Sequence, residues 1–480
     1  MSDELPQGWV AATLEEISEI NPRHPRDIEA RMPVTFVPMP ALSETNWIFQ
    51  FAEERPLDAV RKGYTHFAEG DVLFAKITPC MENGKAAVAT SLKNGLGCGT
   101  TELHVLRPRG GIESKFIYYF IHQESFRREA VRNFTGTAGQ LRVPVSFIRE
   151  TVIPLPPLFE QRRIVTKLEK LLGKVDACQK RLAKIQVILK CFRQSVLAAA
   201  CSGRLTADWR KKNPQLSLPD SFKKNSQDNV ELPDTWASVS VGDVIANLKY
   251  GTAKKCEHGG KGVPVLRIPN IGEGVVDHSD LKYAILDKKE LESLRLDVGD
   301  ILLIRSNGSV SLVGKTAIVR KSENGFTYAG YLIRIRPNQQ LILPEYLNFA
   351  LATFDVRLQI EVPARSTSGV NNINSDEVRK LQIAIGPLTE QEEIILRVEK
   401  LFKLADTIDV RYVKAKKFVD KLTQSILAKA FRGELVPQDP NDEPAEKLLE
   451  RIHGLKNQSE LGIVKKKSEP IPTLKSNVMN

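Results

Sequence analysis

This chain of 480 residues contains an internal duplication, which limits the folds that it can adopt. The segment Pro-Leu-Phe-Glu-Gln at 157–161 returns as Pro-Leu-Thr-Glu-Gln at 387–391, and the offset of 230 residues then continues without a gap for about fifty residues. A gapless register is typical of a helix, because one inserted residue would turn an apolar stripe by about 100°. The duplication therefore predicts two similar long helices.

Apolar residues follow a heptad spacing through both copies. They are Ile164, Leu168, Leu171, Val175, Cys178, Leu182, Ile185, Leu189, Phe192 and Val196, and then Ile394, Val398, Leu401, Ala405, Ile408, Tyr412, Ala415, Val419, Leu422 and Ile426. A forty-residue helix, roughly 60 Å long, cannot bury such a stripe alone. The pattern favours pairing of the two helices with each other; the alternatives are docking of each on its own domain or on another subunit. Thr389 with Glu392 predicts a capping box, and Gly203 and Gly433 predict the helix ends.

A looser duplication precedes each helix. Leu-Pro-x-x-Trp at 5–9 returns at 232–236, Gly-Asp-Val-Leu at 70–73 returns as Gly-Asp-Ile-Leu at 299–302, and Gly-Lys at 84–85 returns at 314–315. We predict an α+β fold of two α/β-mixed domains separated by two long antiparallel helices that form a coiled coil, with a pseudo-twofold internal repeat. The predicted boundaries are 1–156 (first domain), 157–204 (helix), 205–386 (linker and second domain), 387–434 (helix) and 435–480 (tail).

Short β-like runs at 71–76, 102–106, 264–268 and 301–305 alternate with helix-like runs at 114–121 and 344–353. Residues 205–229 are rich in Lys, Asn, Ser and Pro and predict a linker. A short amphipathic helix is predicted at 444–455, and the lysine-rich end is predicted to be disordered.

The composition limits the partners and the compartment. Lys and Arg number 69 against 58 Asp and Glu, and the resulting charge of +11 favours a polyanionic partner such as nucleic acid. The first residues lack a secretory signal and no run reaches membrane-spanning length, so we expect a cytoplasmic protein without a membrane partner. Six cysteines form no C-x-x-C pair, which favours buried thiols over disulfides or a zinc site.

Catalytic motifs are missing or fail on spacing. Five residues separate Gly308 from Gly314, where a phosphate-binding loop has four. The proline pair at 156–157 lacks the neighbours of an amino-methyltransferase motif, and Pro233-Asp234 with 287–289 matches a nuclease motif poorly. The histidines show no metal-ligand spacing. We therefore expect no catalytic residues and no metal site in this chain.

The repeated order of these motifs resembles the specificity subunit of type I restriction-modification systems. The resemblance covers nearly the whole chain and implies that each domain is a target recognition domain that reads one half of a bipartite, asymmetric duplex DNA site. It also implies that the helices hold the domains apart and bind two adenine-N6 methyltransferase (modification) subunits, and that a restriction/translocase subunit joins the complex. S-adenosylmethionine, ATP and Mg²⁺ are expected on those partner subunits, and no cofactor is expected on this chain.

Loops that follow the Gly-Asp strands or precede the long helices are the first candidates for DNA contact, because Arg, Lys and Asn can pair with phosphate or base edges. Each is alternatively a solvated loop charge or a turn-forming residue. The candidates are Lys76, Thr78, Asn83, Lys85, Thr135, Gly136, Gln140, Arg142, Tyr250, Lys254, Lys255, Arg305, Ser306, Asn307, Lys315, Arg365, Ser366, Asn371 and Asn372.

Polar residues that are identical in both long helices are candidates for binding two identical subunits. An ordinary solvated face that changed little after duplication is the alternative. The candidates are Glu160, Gln161, Glu169, Lys170, Asp176, Lys184, Glu390, Gln391, Glu399, Lys400, Asp406 and Lys414.

Two other functions stay open at this point. A coiled-coil structural or adaptor protein without a nucleic-acid role would explain the helices and the duplication. An enzyme that methylates or cuts DNA alone is the other possibility, and the missing motifs weigh against it. Salt-sensitive, sequence-specific duplex binding separates the first possibility from a specificity subunit.

Overall fold

The computed structural model describes residues 5–137, 139–218, 222, 232–272, 274–364 and 371–460, with 364 and 457–460 described by their backbone only. The chain divides into two compact units. Unit 1 comprises residues 1–181 and 415–480, and unit 2 comprises residues 182–414. Each unit therefore contains one of the duplicated domains together with part of each long helix.

The two 44-residue helices α6 (Leu158–Cys201) and α12 (Leu388–Phe431) are the pair that the duplication predicts. Short 3-10 helices cover Met39–Ala41, Lys93–Gly95, Val241–Val244, Ile268–Asn270 and Lys321–Glu323. The α-helices of the described residues are α1 (Leu14–Ile17), α2 (Leu57–Val60), α3 (Ser114–Ile121), α4 (Glu124–Arg132), α5 (Val145–Glu150), α6 (Leu158–Cys201), α7 (Ala207–Lys212), α8 (Lys288–Leu294), α9 (Pro344–Leu351), α10 (Phe354–Ala364), α11 (Ser375–Lys380), α12 (Leu388–Phe431) and α13 (Ala445–Glu460).

The described residues of unit 1 form three sheets. The strands are β1 (Val10–Thr13), β2 (Ser18–Ile20), β3 (Pro33–Val37), β4 (Glu53–Pro56), β5 (Thr65–Ala68), β6 (Val72–Ala75), β7 (Ala86–Val88), β8 (Leu96–Gly99), β9 (Leu103–Pro108) and β10 (Val152–Leu155). β1 pairs antiparallel with β10. The two four-stranded sheets have the orders β2-β9-β6-β7 and β4-β3-β8-β5, and β3 runs parallel to β8.

Unit 2 repeats this plan with an additional short strand pair. The strands are β11 (Ala237–Ser240), β12 (Ile245–Tyr250), β13 (Val263–Leu266), β14 (Lys282–Ala284), β15 (Ile301–Ile304), β16 (Ser306–Asn307), β17 (Thr316–Ile318), β18 (Thr327–Tyr328), β19 (Leu332–Pro337), β20 (Asn371–Asn372) and β21 (Gln382–Ile385). β11 pairs with β21, and β16 pairs with β20. The larger sheets have the orders β12-β19-β15-β17 and β14-β13-β18.

The central strands β6 and β15 are buried on both faces, which explains their continuous apolar runs. In unit 1, Leu73 packs in one apolar cluster, whereas Val72 and Phe74 pack in another that includes α3. In unit 2, Leu302 and Ile304 occupy one cluster, and the alternate residues of β15 occupy the other. The predicted strands and helices in these regions are confirmed within a few residues.

An ion pair explains the repeated Gly-Asp motif at the start of each central strand. Asp71 accepts hydrogen bonds from Arg107 at 2.8 and 2.9 Å, and Asp300 accepts from Arg336 at 2.7 Å. The preceding glycines have φ of +83° and +93°, a conformation that favours glycine. The motif therefore positions each central strand against its neighbour in the sheet.

The repeated Trp and Glu residues join each domain to its long helix. Trp9 Nε1 donates to Glu160 Oε2 at 3.1 Å, and Trp236 Nε1 donates to Glu390 Oε2 at 3.0 Å. The neighbouring glutamines also bind backbone close to the helix start. Gln161 donates to the carbonyl of residue 156 at 3.0 Å, and Gln391 donates to that of residue 386 at 2.9 Å.

This joint corrects four predicted partner-binding residues. Glu160, Gln161, Glu390 and Gln391 are at most 1% exposed. The prediction of partner binding is wrong for these four, because their polar atoms are directed into their own unit. Their identity in both copies reflects a shared structural contact.

The long helices carry the predicted periodicity, and the residues of the seam alternate with exposed positions along both helices. Cys178 and Ile408 are the exceptions, because both are exposed. In unit 2 the helices run antiparallel, since Gln186 contacts Asp409 and Arg193 contacts both Asp406 and Asp409. These contacts support direct pairing of the two helices in that unit.

The predicted helix ends are partly confirmed. Gly203 and Gly433 follow the two helices with φ of +71° and +75°, as expected for C-terminal glycines. The predicted capping box at Thr389 is wrong, because α12 begins at Leu388 and places Thr389 inside its first turn. α13 extends to Glu460, beyond the predicted end of the tail helix.

Two further expectations need correction. The predicted linker contains α7, and its residues Thr206 and Arg210 bind the buried Glu390. Cys98 is buried as expected, but Cys178 and Cys191 are exposed. The lysine-rich end, predicted to be disordered, lies outside the described residues.

Candidate nucleic-acid interface

The loops after β6 and before α5 form one surface in unit 1, which we call the first loop surface (residues 76–85, 102, 135–137 and 139–142). The N–H of Val143 donates to the carbonyl of Lys76 at 2.9 Å, and that of Thr78 donates to Leu141 at 3.0 Å. Thr135 and Arg142 exchange backbone hydrogen bonds at 3.0 and 2.9 Å. The two sets of candidates in this domain are thus brought together.

The side chains of the first loop surface are exposed or half-buried. Asn83, Thr135, Gly136 and Gln140 are exposed, and Lys76, Thr78, Lys85 and Arg142 are half-buried. Lys76 lies beside Glu102, because its N–H donates to the Glu102 carbonyl at 2.9 Å. The surface therefore presents a mixture of amide, hydroxyl and cationic groups.

The equivalent loops form a second loop surface in unit 2 (residues 250, 305–315, 331 and 371–375). β16 pairs with β20, so that Ser306 lies opposite Asn372 and Asn307 lies opposite Asn371. The N–H of Ile373 donates to the carbonyl of residue 305 at 2.8 Å, which repeats the contact between Val143 and Lys76. The backbone frame of the two loop surfaces is therefore the same.

Arg305 is the central side chain of the second loop surface. Its Nε donates to Asn372 Oδ1 at 3.3 Å, and its guanidinium lies 4.6 Å from the ring centroid of Tyr250. The Tyr250 hydroxyl in turn accepts from the N–H of Ser375 at 2.8 Å. Three of the predicted segments thus converge on one arginine.

Lys254 and Lys255 are held by carboxylates instead. Lys254 Nζ lies 2.7 Å from Glu290 and 3.5 Å from Asp287, and Lys255 Nζ lies 3.2 Å from Glu257. Much of their charge is therefore compensated within the domain. Arg365 and Ser366 lie outside the described residues.

The repeated Gly-Lys pair has a structural explanation. Gly84 and Gly314 have φ of +81° and +78°. A Cβ atom on either would approach an arginine Nη1 to 2.7 or 2.8 Å, from Arg127 on α4 and Arg357 on α10 respectively. After the second pair comes strand β17, whereas a phosphate-binding loop leads into a helix. The rejection of a nucleotide site at 308–316 is consistent with this geometry.

Two further residues belong to the loop surfaces and are not among the candidates predicted from the sequence. Glu102 and Tyr331 occupy equivalent positions, since each carbonyl accepts from the residue that follows the central strand, at 2.9 and 3.0 Å. Glu102 pairs with Arg142, whereas the Tyr331 side chain is 63% exposed. Each directly precedes a strand with an apolar, core-like sequence. Their place on the loop surfaces therefore becomes evident only from the tertiary structure.

Eight predicted partner-binding residues remain on the surface of the long helices. They are Glu169, Lys170, Asp176, Lys184, Glu399, Lys400, Asp406 and Lys414. Glu169 is paired with Lys115 at 2.6 Å. Among the described residues, no group of three or more His, Cys, Asp or Glu side chains is arranged to hold a metal ion, and no helix has the length and hydropathy to cross a membrane.

Comparison with known proteins shows the family to which this chain belongs. Residues 6–187 and 233–411 match the family model described as the type I restriction modification DNA specificity domain. The chain is 36% identical over 357 residues to the specificity subunit of the type I restriction enzyme EcoKI of Escherichia coli K12, covering 72% of this chain and 73% of the relative. The StySPI specificity subunit of Salmonella potsdam is 33% identical over 355 residues, with coverages of 72% and 73%.

Solved structures show the same fold. A chain from a structure of complex assembly and conformational transition of the type I R-M system matches with a TM-score of 0.68 and 22% identity, covering 90% of this chain and 99% of that one. The HsdS subunit of Thermoanaerobacter tengcongensis matches with a TM-score of 0.57 and 21% identity, with coverages of 90% and 98%.

Proposed function

This chain belongs to the family of type I restriction-modification specificity subunits, and on that premise we propose that its two loop surfaces read two different half-sites of one duplex DNA sequence. The proposal rests on one observation: the two loop surfaces have the same backbone hydrogen-bond pattern but carry different side chains at equivalent positions. Lys76, Glu102 and Arg142 in unit 1 are replaced by Arg305, Tyr331 and Asn372 in unit 2. A shared frame with unlike side chains is suited to two unlike half-sites.

Charge and residue type support duplex DNA as the ligand. The chain carries a formal charge of +11, which favours a polyanion. Arginine and asparagine can pair bidentately with guanine and adenine in the major groove, whereas lysine neutralises phosphate well. All three residue types occur on the loop surfaces.

We infer that the chemistry belongs to partner subunits. The eight repeated surface residues of α6 and α12 support docking of two identical adenine-N6 methyltransferase subunits, because identical subunits need identical contacts. A restriction/translocase subunit would complete the assembly. S-adenosylmethionine, ATP and Mg²⁺ are proposed to bind those partners.

The proposal is tested by alanine variants at the equivalent positions Lys76 and Arg305. The complex with the methyltransferase subunit of the same system is prepared, its methylated motif is mapped by N6-methyladenine sequencing, and its affinity for that duplex is measured. We expect Lys76→Ala and Arg305→Ala each to weaken binding by about 1–3 kcal/mol, through the half-site that each domain contacts.

Matched controls are Lys93→Ala and Lys321→Ala, because both lysines begin a short 3-10 helix near the opposite end of the central strand. The 3-10 helix that Lys93 begins lies near the start of β6, because its residue Gly95 accepts a backbone hydrogen bond from Glu69. The one that Lys321 begins lies near the start of β15, because Val319, two residues earlier, donates a backbone hydrogen bond to Asp300. The controls should bind like the wild type at every salt concentration. Equal effects of test and control variants would contradict recognition by the loop surfaces.

A further inference from the structure

Glu102 holds Arg142 in one orientation on the first loop surface. Arg142 Nε donates to Glu102 Oε2 at 2.8 Å, and Nη2 donates to Oε1 at 2.9 Å. Nη1 donates to the carbonyl of Gln140 at 2.9 Å. The side chains remain 25% exposed for Glu102 and 36% exposed for Arg142, so the pair stays accessible from solvent.

A carboxylate is unfavourable on a surface that faces phosphates. The hydrogen bond from Arg142 lowers the pKa of Glu102, and the charge of Lys76 acts in the same direction. Glu102 is therefore ionised at neutral pH and repels a polyanion. Glu102 must therefore contribute something that offsets this repulsion. The two hydrogen bonds that it accepts from Arg142 indicate that it orients the arginine side chain.

We propose that Arg142, positioned by Glu102, reads a guanine in the major groove of the first half-site. This inference rests on the proposed function. A guanidinium has five N–H donors, and the three contacts above leave one N–H on each Nη nitrogen. Those two donors match the O6 and N7 acceptors of guanine, the commonest specific arginine contact.

The second loop surface cannot make this contact in the same way. The positions equivalent to Glu102 and Arg142 carry Tyr331 and Asn372 there. Asn372 is an amide that accepts from Arg305, and Tyr331 carries no carboxylate. The guanine contact is therefore specific to the first half-site.

The test uses Arg142→Lys in the complex with the methyltransferase subunit. Lysine keeps the positive charge beside Glu102 but lacks the planar fork of donors. A half-exposed ion pair contributes little to stability, so the variant is expected to fold, which circular dichroism checks. Binding is measured on the mapped target and on duplexes with 7-deazaguanine, which lacks N7, at each guanine of the first half-site in turn.

One 7-deazaguanine substitution removes one of the two acceptors and should weaken wild-type binding by about 5-fold or more. It should weaken the Arg142→Lys complex less, because an ammonium group lacks the planar fork that engages both acceptors. Substitutions in the second half-site should affect both complexes equally. The inference is overturned if the lysine variant is as sensitive as the wild type at every guanine, or if neither strand of the first half-site contains a guanine. A wild-type complex without any methylated bipartite motif would instead contradict the proposed function.

Glu102→Gln is the companion variant, because it keeps the shape and removes the charge. We expect stronger binding to unrelated duplex DNA and a several-fold smaller discrimination at the same guanine, since repulsion and orientation are both lost. A purely structural ion pair predicts the same gain in binding to unrelated DNA, because the charge is lost in either case, but no change in discrimination at the guanine. Unaltered discrimination in Glu102→Gln would overturn the positioning role of Glu102.

Discussion

The equivalent buried glutamates Glu160 and Glu390 differ in the groups that compensate their charge. Glu390 is bound by Trp236, Thr206 and Arg210, the last at 2.7 Å. Glu160 is bound by Trp9, but its Oε1 has no partner among the described residues. Burial raises the pKa of Glu160, because loss of hydration destabilises the charged carboxylate in the folded state. The same buried glutamate is thus well compensated in unit 2 and poorly compensated in unit 1.

Glutamine variants at these two positions should change stability in opposite directions. Glu160→Gln replaces a poorly compensated charge with a neutral amide and should raise the free energy of unfolding by about 1 kcal/mol at pH 7. Glu390→Gln leaves Arg210 without a charged partner and should lower it by about 3 kcal/mol. Denaturant unfolding of both variants, followed by tryptophan fluorescence, measures the difference.

The pH dependence provides a second check. A carboxyl group with a higher pKa in the folded state than in the unfolded state lowers the free energy of unfolding once the pH exceeds its folded pKa. This destabilisation is absent below the pKa of the unfolded state, which is about 4.3 for glutamate. The advantage of Glu160→Gln should therefore vanish on acidification through this range. A constant advantage from pH 4 to pH 8 would show that the charge of Glu160 is not its cause.

At the scale of elements, the two long helices preserve the heptad seam with one matched interruption. Cys178 and Ile408 occupy equivalent positions and are both exposed. The seam residues directly before them, Val175 and Ala405, are buried. The heptad pattern therefore predicts the helix correctly without predicting that every seam position is covered.

This exposure predicts the order of thiol reactivity. Cys178 and Cys191 are exposed, whereas burial raises the pKa of Cys98 to about 12. Because the thiolate is the reactive form, a maleimide at pH 7 should label the two helix cysteines well before Cys98. Peptide mass spectrometry measures the order, and a Cys178→Ser variant controls for site assignment. Equal labelling rates would contradict the burial of Cys98.

At the scale of the whole molecule, each long helix contributes one half to each unit. Residues 158–181 of α6 belong to unit 1, and residues 182–201 belong to unit 2. We propose that the helices set the distance between the two half-sites, and that the loop surfaces set the bases that are read. These two properties should therefore change independently.

An insertion of four residues into α6 tests this separation. Four residues add about one helical turn, roughly 6 Å, and so should change the tolerated spacer between unchanged half-sites. N6-methyladenine mapping reads both properties in one experiment. The same insertion after residue 470, beyond α13, serves as the control. An altered half-site with an unchanged spacer would contradict the proposed role of the helices.

The two long helices and the strands at the centre of each domain could be predicted from the order of the amino acids, as could the duplication that relates them. These features follow from periodicity and from motifs repeated at a nearly constant offset, and such signals are local. Arg142, Arg305 and Asn372 could also be predicted as candidates for DNA contact, because their position in loops and their hydrogen-bond donors are evident from the sequence. The family resemblance depended on the same repeated order and was confirmed by the comparisons.

The burial of particular polar residues depends on contacts between distant segments and could not be predicted from the sequence. Glu160 and Glu390 look like surface residues of an amphipathic helix, but the tryptophans that bind them lie more than 150 residues away. Glu102 meets Arg142 across 40 residues, and Tyr331 becomes exposed where its neighbours are core. The physical reason is that charge and hydropathy describe a side chain, whereas its partner is set by how distant segments pack.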